Sequence, residues 1–253
     1  MTDLQRGSTV AGLTHIGCVR RCNEDSIFLE SDIDGHTLLA VVADGMGGHA
    51  GGAIASQLAV SEFERAWKYR MENVSLTGSW LYATAKLANH IIRSQAEADP
   101  TLKQMGTTLV SLLIEGHVAH IAHIGDSRCY LLKEGKLIQL TTDHSVVQQL
   151  VDSGSMTPDE AERSPIKNYL TRSLGSHAEP DMDVQRVELS GAERLLLCSD
   201  GLTNMLATVE LENIMASCDS DQRVCERLVE EALARGASDN VSVIVCTLNQ
   251  SGV

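Results

Sequence analysis

Leu38-Leu39-Ala40-Val41-Val42-Ala43-Asp44-Gly45 is an apolar run that stops at Asp-Gly, and Leu195-Leu196-Leu197-Cys198-Ser199-Asp200-Gly201 repeats the form far downstream. Each reads as a buried strand that delivers a carboxylate at its tip. The glycine that follows lets the backbone approach a neighbour closely. Two such tips, far apart in the chain, point to a fold that brings them together. Clustered carboxylates repel one another unless cations neutralise them. The pattern therefore suggests a metal-dependent hydrolase.

The bulk composition narrows the field. The chain has 253 residues, 43% of them hydrophobic but only 3% aromatic, so Leu, Val, Ile and Ala must fill the core. A formal net charge of -14 argues against nucleic acid as a partner, because phosphate backbones need basic patches. Seven cysteines are scattered, several inside strand-like runs, and read as reduced thiols of a cytoplasmic protein. Cys18 and Cys22 have a zinc-like spacing but no second Cys/His pair to match it. Met1 to Val10 has no signal-peptide core, and no segment has the roughly 18 apolar residues of a membrane span.

Strands are expected at Ile27 to Ile33 and Thr37 to Ala43, joined by a turn at Asp34-Gly35. Helices are expected over Ala53 to Trp67 and Leu81 to Ala98, the second stopped by Pro100. Thr107 to Ile114, His117 to Ile124, Arg128 to Leu132 and Lys136 to Leu140 read as short strands with turns at Glu115-Gly116 and Glu134-Gly135. Thr157-Pro158-Asp159-Glu160 is a capping box with proline at the first helical position. The stretch from Asp143 to Gly175 reads as a small helical flap, and Val146 to Gly175 as a segment that selects substrates. Strands at Met182 to Leu189, Arg194 to Cys198 and Val241 to Leu248 enclose helices at Val209 to Ser217 and Asp221 to Arg235. Hairpin strands with separate helix pairs favour an α+β sandwich over an alternating α/β fold. The expectation is one domain over residues 1–253, with a flap subdomain at about 143–175.

Five acidic positions stand at strand ends: Asp25, Asp44, Asp126, Asp200 and Asp239. Any one alone reads as a turn residue beside a strand. Five together indicate a shared site, whose hard oxygen donors suit Mg²⁺ or Mn²⁺ better than zinc. Gly47, Gly48, Gly51 and Gly52 match neither a dinucleotide-binding nor a P-loop motif in register, so they read as freedom around a metal-binding turn.

Gly17-Cys18-Val19-Arg20-Arg21-Cys22-Asn23-Glu24-Asp25 and Ala43-Asp44-Gly45-Met46-Gly47-Gly48-His49 resemble the opening motifs of metal-dependent protein phosphatases of the protein phosphatase 2C (PPM) type. Met105-Gly106-Thr107-Thr108, Gly125-Asp126-Ser127-Arg128, Asp143-His144-Ser145, Leu170-Thr171-Arg172, Cys198-Ser199-Asp200-Gly201 and Ser238-Asp239-Asn240-Val241 resemble the later ones, in order. The likeness runs from about Ala11 to Leu248. It implies an αββα sandwich of two antiparallel sheets flanked by helices, with a metal cluster at one edge.

On that resemblance Asp44 bridges two metal ions, Asp200 and Asp239 complete the first, and the Gly45 carbonyl binds the second. Glu24 and Asp25 hold that ion's waters, and Asp126 forms a third site with Asp200. Two divalent ions about 3.5–4 Å apart would acidify a bridging water and present hydroxide to phosphorus. Arg20 would grip the phosphate, since its planar fork matches phosphate oxygens. Many eukaryotic members have histidine where this chain has Met46, which cannot donate a proton. That leaves metal-bound water or another residue, His49 among the candidates, as general acid; the Met46 pattern resembles bacterial members.

The implied function is hydrolysis of phosphoserine and phosphothreonine in proteins, opposing a bacterial Ser/Thr kinase. The expected partners are phosphoproteins and that cognate kinase, with no nucleic acid and no membrane, and the chain acting as a monomer. The rival is a pseudophosphatase serving as a binding module, which usually lacks a metal aspartate; here Asp44, Asp200 and Asp239 are all present. A third reading is a sensor-coupled phosphatase acting on an anti-sigma-factor antagonist; such members usually carry extra regulatory domains, for which this length is expected to leave no room.

Overall fold

The computed structural model describes residues 8–33, 35–47, 50–70, 76–191 and 193–248. Asp34 of the expected turn, and Gly48 and His49 of the glycine-rich loop, lie outside the described residues. The elements are β1 (Thr9–His15), β2 (Asp25–Ser31), β3 (Thr37–Met46), α1 (Gly51–Lys68), α2 (Gly78–Ala98), β4 (Gly106–Thr107), β5 (Leu109–Glu115), β6 (Val118–Ile124), β7 (Arg128–Lys133) and β8 (Lys136–Gln139). There follow α3 (Val146–Asp152), α4 (Pro158–Glu162), β9 (Asp183–Glu188), β10 (Arg194–Cys198), α5 (Asp200–Thr203), α6 (Thr208–Ser217), α7 (Asp221–Ala234) and β11 (Val241–Thr247).

Two antiparallel sheets form, one in the order β1-β11-β10-β7-β8 and the other β2-β3-β5-β6-β9, with β4 attached to β3. Side-chain alternation along each strand explains why the central strands are apolar throughout. Leu39, Val41 and Ala43 of β3 face a core built with Ala59, Phe63 and Trp67 of α1 and Leu81 and Ile92 of α2. Leu38, Ala40 and Val42 face the other way, meeting Leu195 and Leu197 of β10 and Ile244 and Cys246 of β11 between the sheets. Leu196, Val243 and Val245 then face Leu211 of α6 and Leu228 of α7. Three cores separate four layers, the expected α+β sandwich with helices outside. Burying one side chain of Leu or Val size stabilises by about 1.5–3 kcal/mol, so strands that contribute to two cores anchor both sheets.

Several sequence expectations need correction. A strand absent from them, β1, precedes all the others. Its sequence has no apolar run, and it forms because seven residues pair with β11, from Thr9 opposite Thr247 to His15 opposite Val241. Asp25 therefore opens the second strand, inside the ladder opposite Asp44. Asp44 is not at a strand tip: β3 continues through Gly45 and Met46, which pair with Thr107 and Gly106 of β4. Asp200 opens the short helix α5.

The flap is helical, and the helix expected at Thr157 forms as α4. Ser145 caps α3 by accepting from the Gln148 amide, and Thr157 and Glu160 form the reciprocal capping box of α4. The root of the flap is tied by Val146 N–H to Tyr169 O and Thr171 N–H to His144 O, both 2.8 Å.

Candidate active site

The carboxylates come together because strands from both sheets end at one edge. Asp25 and Asp44 are cross-strand partners on β2 and β3. Asp200 follows β10, and Asp239 precedes β11, the neighbour of β10. The Ser199 hydroxyl, just after β10, and the Ser242 hydroxyl of β11 each donate to Asp25 Oδ2 at 2.7 Å, joining the two sheets at this point. The other oxygen, Asp25 Oδ1, is buried with no hydrogen-bond partner among the described residues, and so is Asp200 Oδ1. A buried carboxylate oxygen without a donor is costly, and a cation removes that cost.

Asp44 is held by its backbone. Its N–H donates to Thr108 Oγ1 at 3.0 Å, and its carbonyl accepts from Thr108 N–H and Thr107 Oγ1, both at 2.9 Å. Thr108 Oγ1 in turn lies 2.7 Å from Ser127 Oγ, next to Asp126, so β3 is linked to the turn that carries Asp126. Asp200 Oδ2 accepts from Asn204 Nδ2 at 3.0 Å, one turn further along the chain. Asp126, Asp200, Asn204, Arg128 and Lys167 line a cleft of about 530 Å³ beneath the flap. Arg128 is locked to Asp143 by bonds of 2.7–3.1 Å, which fixes the cleft wall at the flap's entry.

The electrostatics are those of a site short of positive charge. Burial, followed by Asp25, Asp200, Asp126 and Asp239, pushes the Asp44 carboxyl well above its ordinary range. Burial and then Asp200 do the same to Asp126. Asp25 is pushed up to about 6, chiefly by burial, against the pull of its two serine donors. Asp200 is raised by burial and then by Asp239, while the hydrogen bond from Asn204 opposes the shift. Glu24 is raised by burial, with Arg20 pulling it back.

Arg20 stands at the rim with about half of its side chain exposed. Its Nη2 donates to Asp239 Oδ2 at 2.7 Å, and its Nη1 lies 3.9 Å from Glu24. Gly45 N–H donates to Glu24 O at 3.1 Å. A Cβ on Gly45 would sit 2.0 Å from Gly52 O and 2.7 Å from Glu24 O, so only glycine fits between β3 and the start of α1. The structure thus brings together Arg20, Glu24, Asp25, Asp44, Gly45, Asp126, Asp200 and Asp239. His49 lies outside the described residues.

Asn240 is the organising residue that the sequence did not single out. Its Oδ1 accepts the Glu24 amide at 2.8 Å, and its Nδ2 donates to Ile16 O at 2.9 Å and Cys22 O at 3.1 Å. It ties the Arg20 loop to the start of β11 and so sets Arg20 against Asp239. Its place directly after Asp239 was the only signal, and an Asn before a strand has too many ordinary uses to be informative alone. Ser199 and Ser242 were likewise invisible in role, because hydroxyl partners follow from sheet register.

A donor set of five aspartates and one glutamate, two of the aspartates with orphaned buried oxygens and four raised in pKa, fits hard divalent cations. The protein phosphatase 2C family profile matches residues 12–238. Protein phosphatase PhpP of Streptococcus pneumoniae is 38% identical over 239 residues, covering 94% of this chain and 96% of that protein. A crystal structure of the Mycobacterium tuberculosis serine/threonine phosphatase PstP/Ppp superposes with a TM-score of 0.88 at 36% identity, covering 96% of this chain and 99% of that one. The PstP catalytic domain in complex with two manganese ions superposes with a TM-score of 0.84 at 35% identity, covering 96% and 99%.

Proposed function

The chain belongs to the protein phosphatase 2C family and is a serine/threonine protein phosphatase; from that premise we propose how its residues divide the work. Asp44, Asp200 and Asp239, with the Gly45 carbonyl, would hold two Mn²⁺ or Mg²⁺ ions, and Asp126 with Asp200 a third. Glu24 and Asp25 would orient the waters around one of the core ions. Bound there, the ions supply Lewis acidity and an acidified water for attack on the phosphorus of phosphoserine or phosphothreonine. The two orphaned oxygens, Asp25 Oδ1 and Asp200 Oδ1, are the observation that most supports this reading.

Arg20 binds the phosphate. A guanidinium has five N–H donors and stays charged at all working pH values, so one bond to Asp239 leaves donors for phosphate oxygens. Asn240 keeps that loop in place. Met46 offers no proton for the departing alkoxide, so a water in the site is the general acid of this reading. Residues 1–253 act as one catalytic domain, with the flap at about 143–175 over the cleft.

The substrates of this reading are phosphoproteins modified by a serine/threonine kinase of the same bacterial cell, whose action the enzyme opposes in the cytoplasm. Among the described residues no helix is long and apolar enough to cross a membrane. Large exposed apolar residues such as Leu87, Ile138 and Val209 sit on separate elements, which favours a monomer. The test is hydrolysis of an aryl phosphate and a phosphothreonine peptide by the full chain with Mn²⁺, with Mg²⁺ and after chelation. Activity restored by either metal is expected. A folded protein inactive with every metal would sink the proposal.

A further inference from the structure

Away from the carboxylate cluster, three metal-binding side chains meet at the root of the flap. His123 of β6 stands opposite Asp183, the first residue of β9, in the antiparallel register. Opposed residues in such a pair lie on one face of the sheet. Alternation along β6 sends His123 the way of Ala119 and Ile121, toward the space between the sheets. His144, at the flap's entry, brings a second ring to within 4.6 Å of the first, centroid to centroid. Its Nε2 lies 3.2 Å from Asp183 Oδ2. One donor atom from each of the three falls within 4.8 Å of the others.

His123 is the decisive residue. It is 1% exposed, and among the described residues neither ring nitrogen has a hydrogen-bond partner. A neutral imidazole has one N–H and one lone pair, so both are unmet. Burial, reinforced by His144, holds its pKa down at about 3 and keeps the lone pair available. A cleft of about 420 Å³, lined by His123, Thr141, Asp183 and Gln185, opens at this point.

We infer that His123, His144 and Asp183 form a divalent-metal site of a different chemical class from the carboxylate cluster, suited to Zn²⁺ rather than Mn²⁺ or Mg²⁺. Two imidazoles and a carboxylate make a three-ligand set that leaves one position open on a tetrahedral ion. Arg172 Nη1 donates to Asp183 Oδ1 at 3.2 Å, which leaves Oδ2 facing His144. Gly125 N–H donates to His144 Nδ1 at 3.2 Å, so the His144 proton sits on Nε2. Coordination through Nε2 shifts that proton to Nδ1 and gives up this long hydrogen bond, with no net proton released from the ring. It also displaces the 3.3 Å approach of Arg172 Nη1. Two metal–nitrogen bonds and one metal–oxygen bond replace these weak contacts. Because His144 N–H bonds Gly125 O at 2.8 Å, directly before Asp126, the ion would brace the flap's entry beside the cleft.

Co²⁺ distinguishes the two kinds of site, since tetrahedral cobalt with histidine ligands absorbs strongly in the visible and six-coordinate oxygen-bound cobalt weakly. The full chain is stripped with chelator, held in excess Mg²⁺ and titrated with Co²⁺, then with Zn²⁺. One strongly absorbing Co²⁺ displaced by Zn²⁺ is expected. Asp183→Ala should weaken it at least roughly tenfold, and His123→Gln should abolish it, while Asp200→Asn retains it. Asp183 is exposed, so its variant serves if His123→Gln does not fold. No strong band in the wild type, or a band of undiminished strength and affinity in Asp183→Ala, would overturn the inference.

Discussion

The two Asp-Gly pairs look alike in sequence and differ in the fold. Asp44-Gly45 lies within a strand, with Asp25 on one side and β4 on the other, and the Asp44 backbone is held by Thr107 and Thr108. Asp200-Gly201 begins a helix, and its carboxylate is steered by Asn204 one turn on. Gly45 makes room for Gly52 at the start of α1, whereas a Cβ on Gly201 would sit 1.9 Å from Asn240 O. One glycine admits a helix to the sheet, and the other admits the segment, just before β11, that carries Asp239 and Asn240. Alike dipeptides can thus fill one site from unlike elements, and the neighbour that each glycine admits shows its role.

The strongest test of this contrast removes the carboxylates. Asp44→Asn and Asp200→Asn are each predicted to cut metal-dependent turnover by about 10²–10³ or more, the scale seen when one electrostatic group is removed from a catalytic site. Asp44, raised by four other aspartates, should show the larger loss. Both variants should melt at a higher temperature than the wild type in chelator, because one repelling charge is gone. Near-normal turnover with unchanged metal dependence in either would refute its ligand role.

Adding a methyl group separates the glycines. Gly201→Ala must force Asn240 and β11 away, and should lower stability by about 3 kcal/mol, the upper end for overpacking. Gly45→Ala should lose a comparable amount and, in addition, its response to metal. Denaturant melts with and without Mn²⁺ check both, and equal metal responses would erase the distinction.

Arg20→Ala removes the phosphate grip while leaving the carboxylates in place. A loss of about 10–150-fold in kcat/KM is expected, as for a hydrogen bond to a charged group, with metal affinity nearly unchanged. A falling metal affinity at constant KM would assign Arg20 to the metal site instead. The smallest effect belongs to Asn204→Ala, which frees Asp200 Oδ2 and should weaken metal binding about tenfold. Metal titration followed by activity measures it, and an unchanged curve would show that the helix alone positions Asp200.

The layers and the site differ in how far they were legible. Residues 38–43 and 195–198 are apolar on both faces, so their burial between two layers followed from local pattern alone. The short helix at Thr157 was legible from its capping box, which acts within four residues; the Ser145 cap of the other flap helix emerged only in the structure. β1 was not, since Thr9–His15 has one buried side chain, Ala11, and depends on β11 for its existence. The acidic residues were visible as a set, but the sequence put Asp44 at a strand tip when the strand runs on to Met46.

The sequence by itself determined the layer architecture, the acidic donor set and the likeness to a phosphatase family, because periodicity, residue chemistry and motif order are local properties. Only the tertiary structure decided the register of Asp25 against Asp44, the approach of Gly201 to Asn240, and the meeting of His123 with His144 and Asp183. Those depend on contacts between residues far apart in the chain, where a shift of one residue turns a side chain to the opposite face.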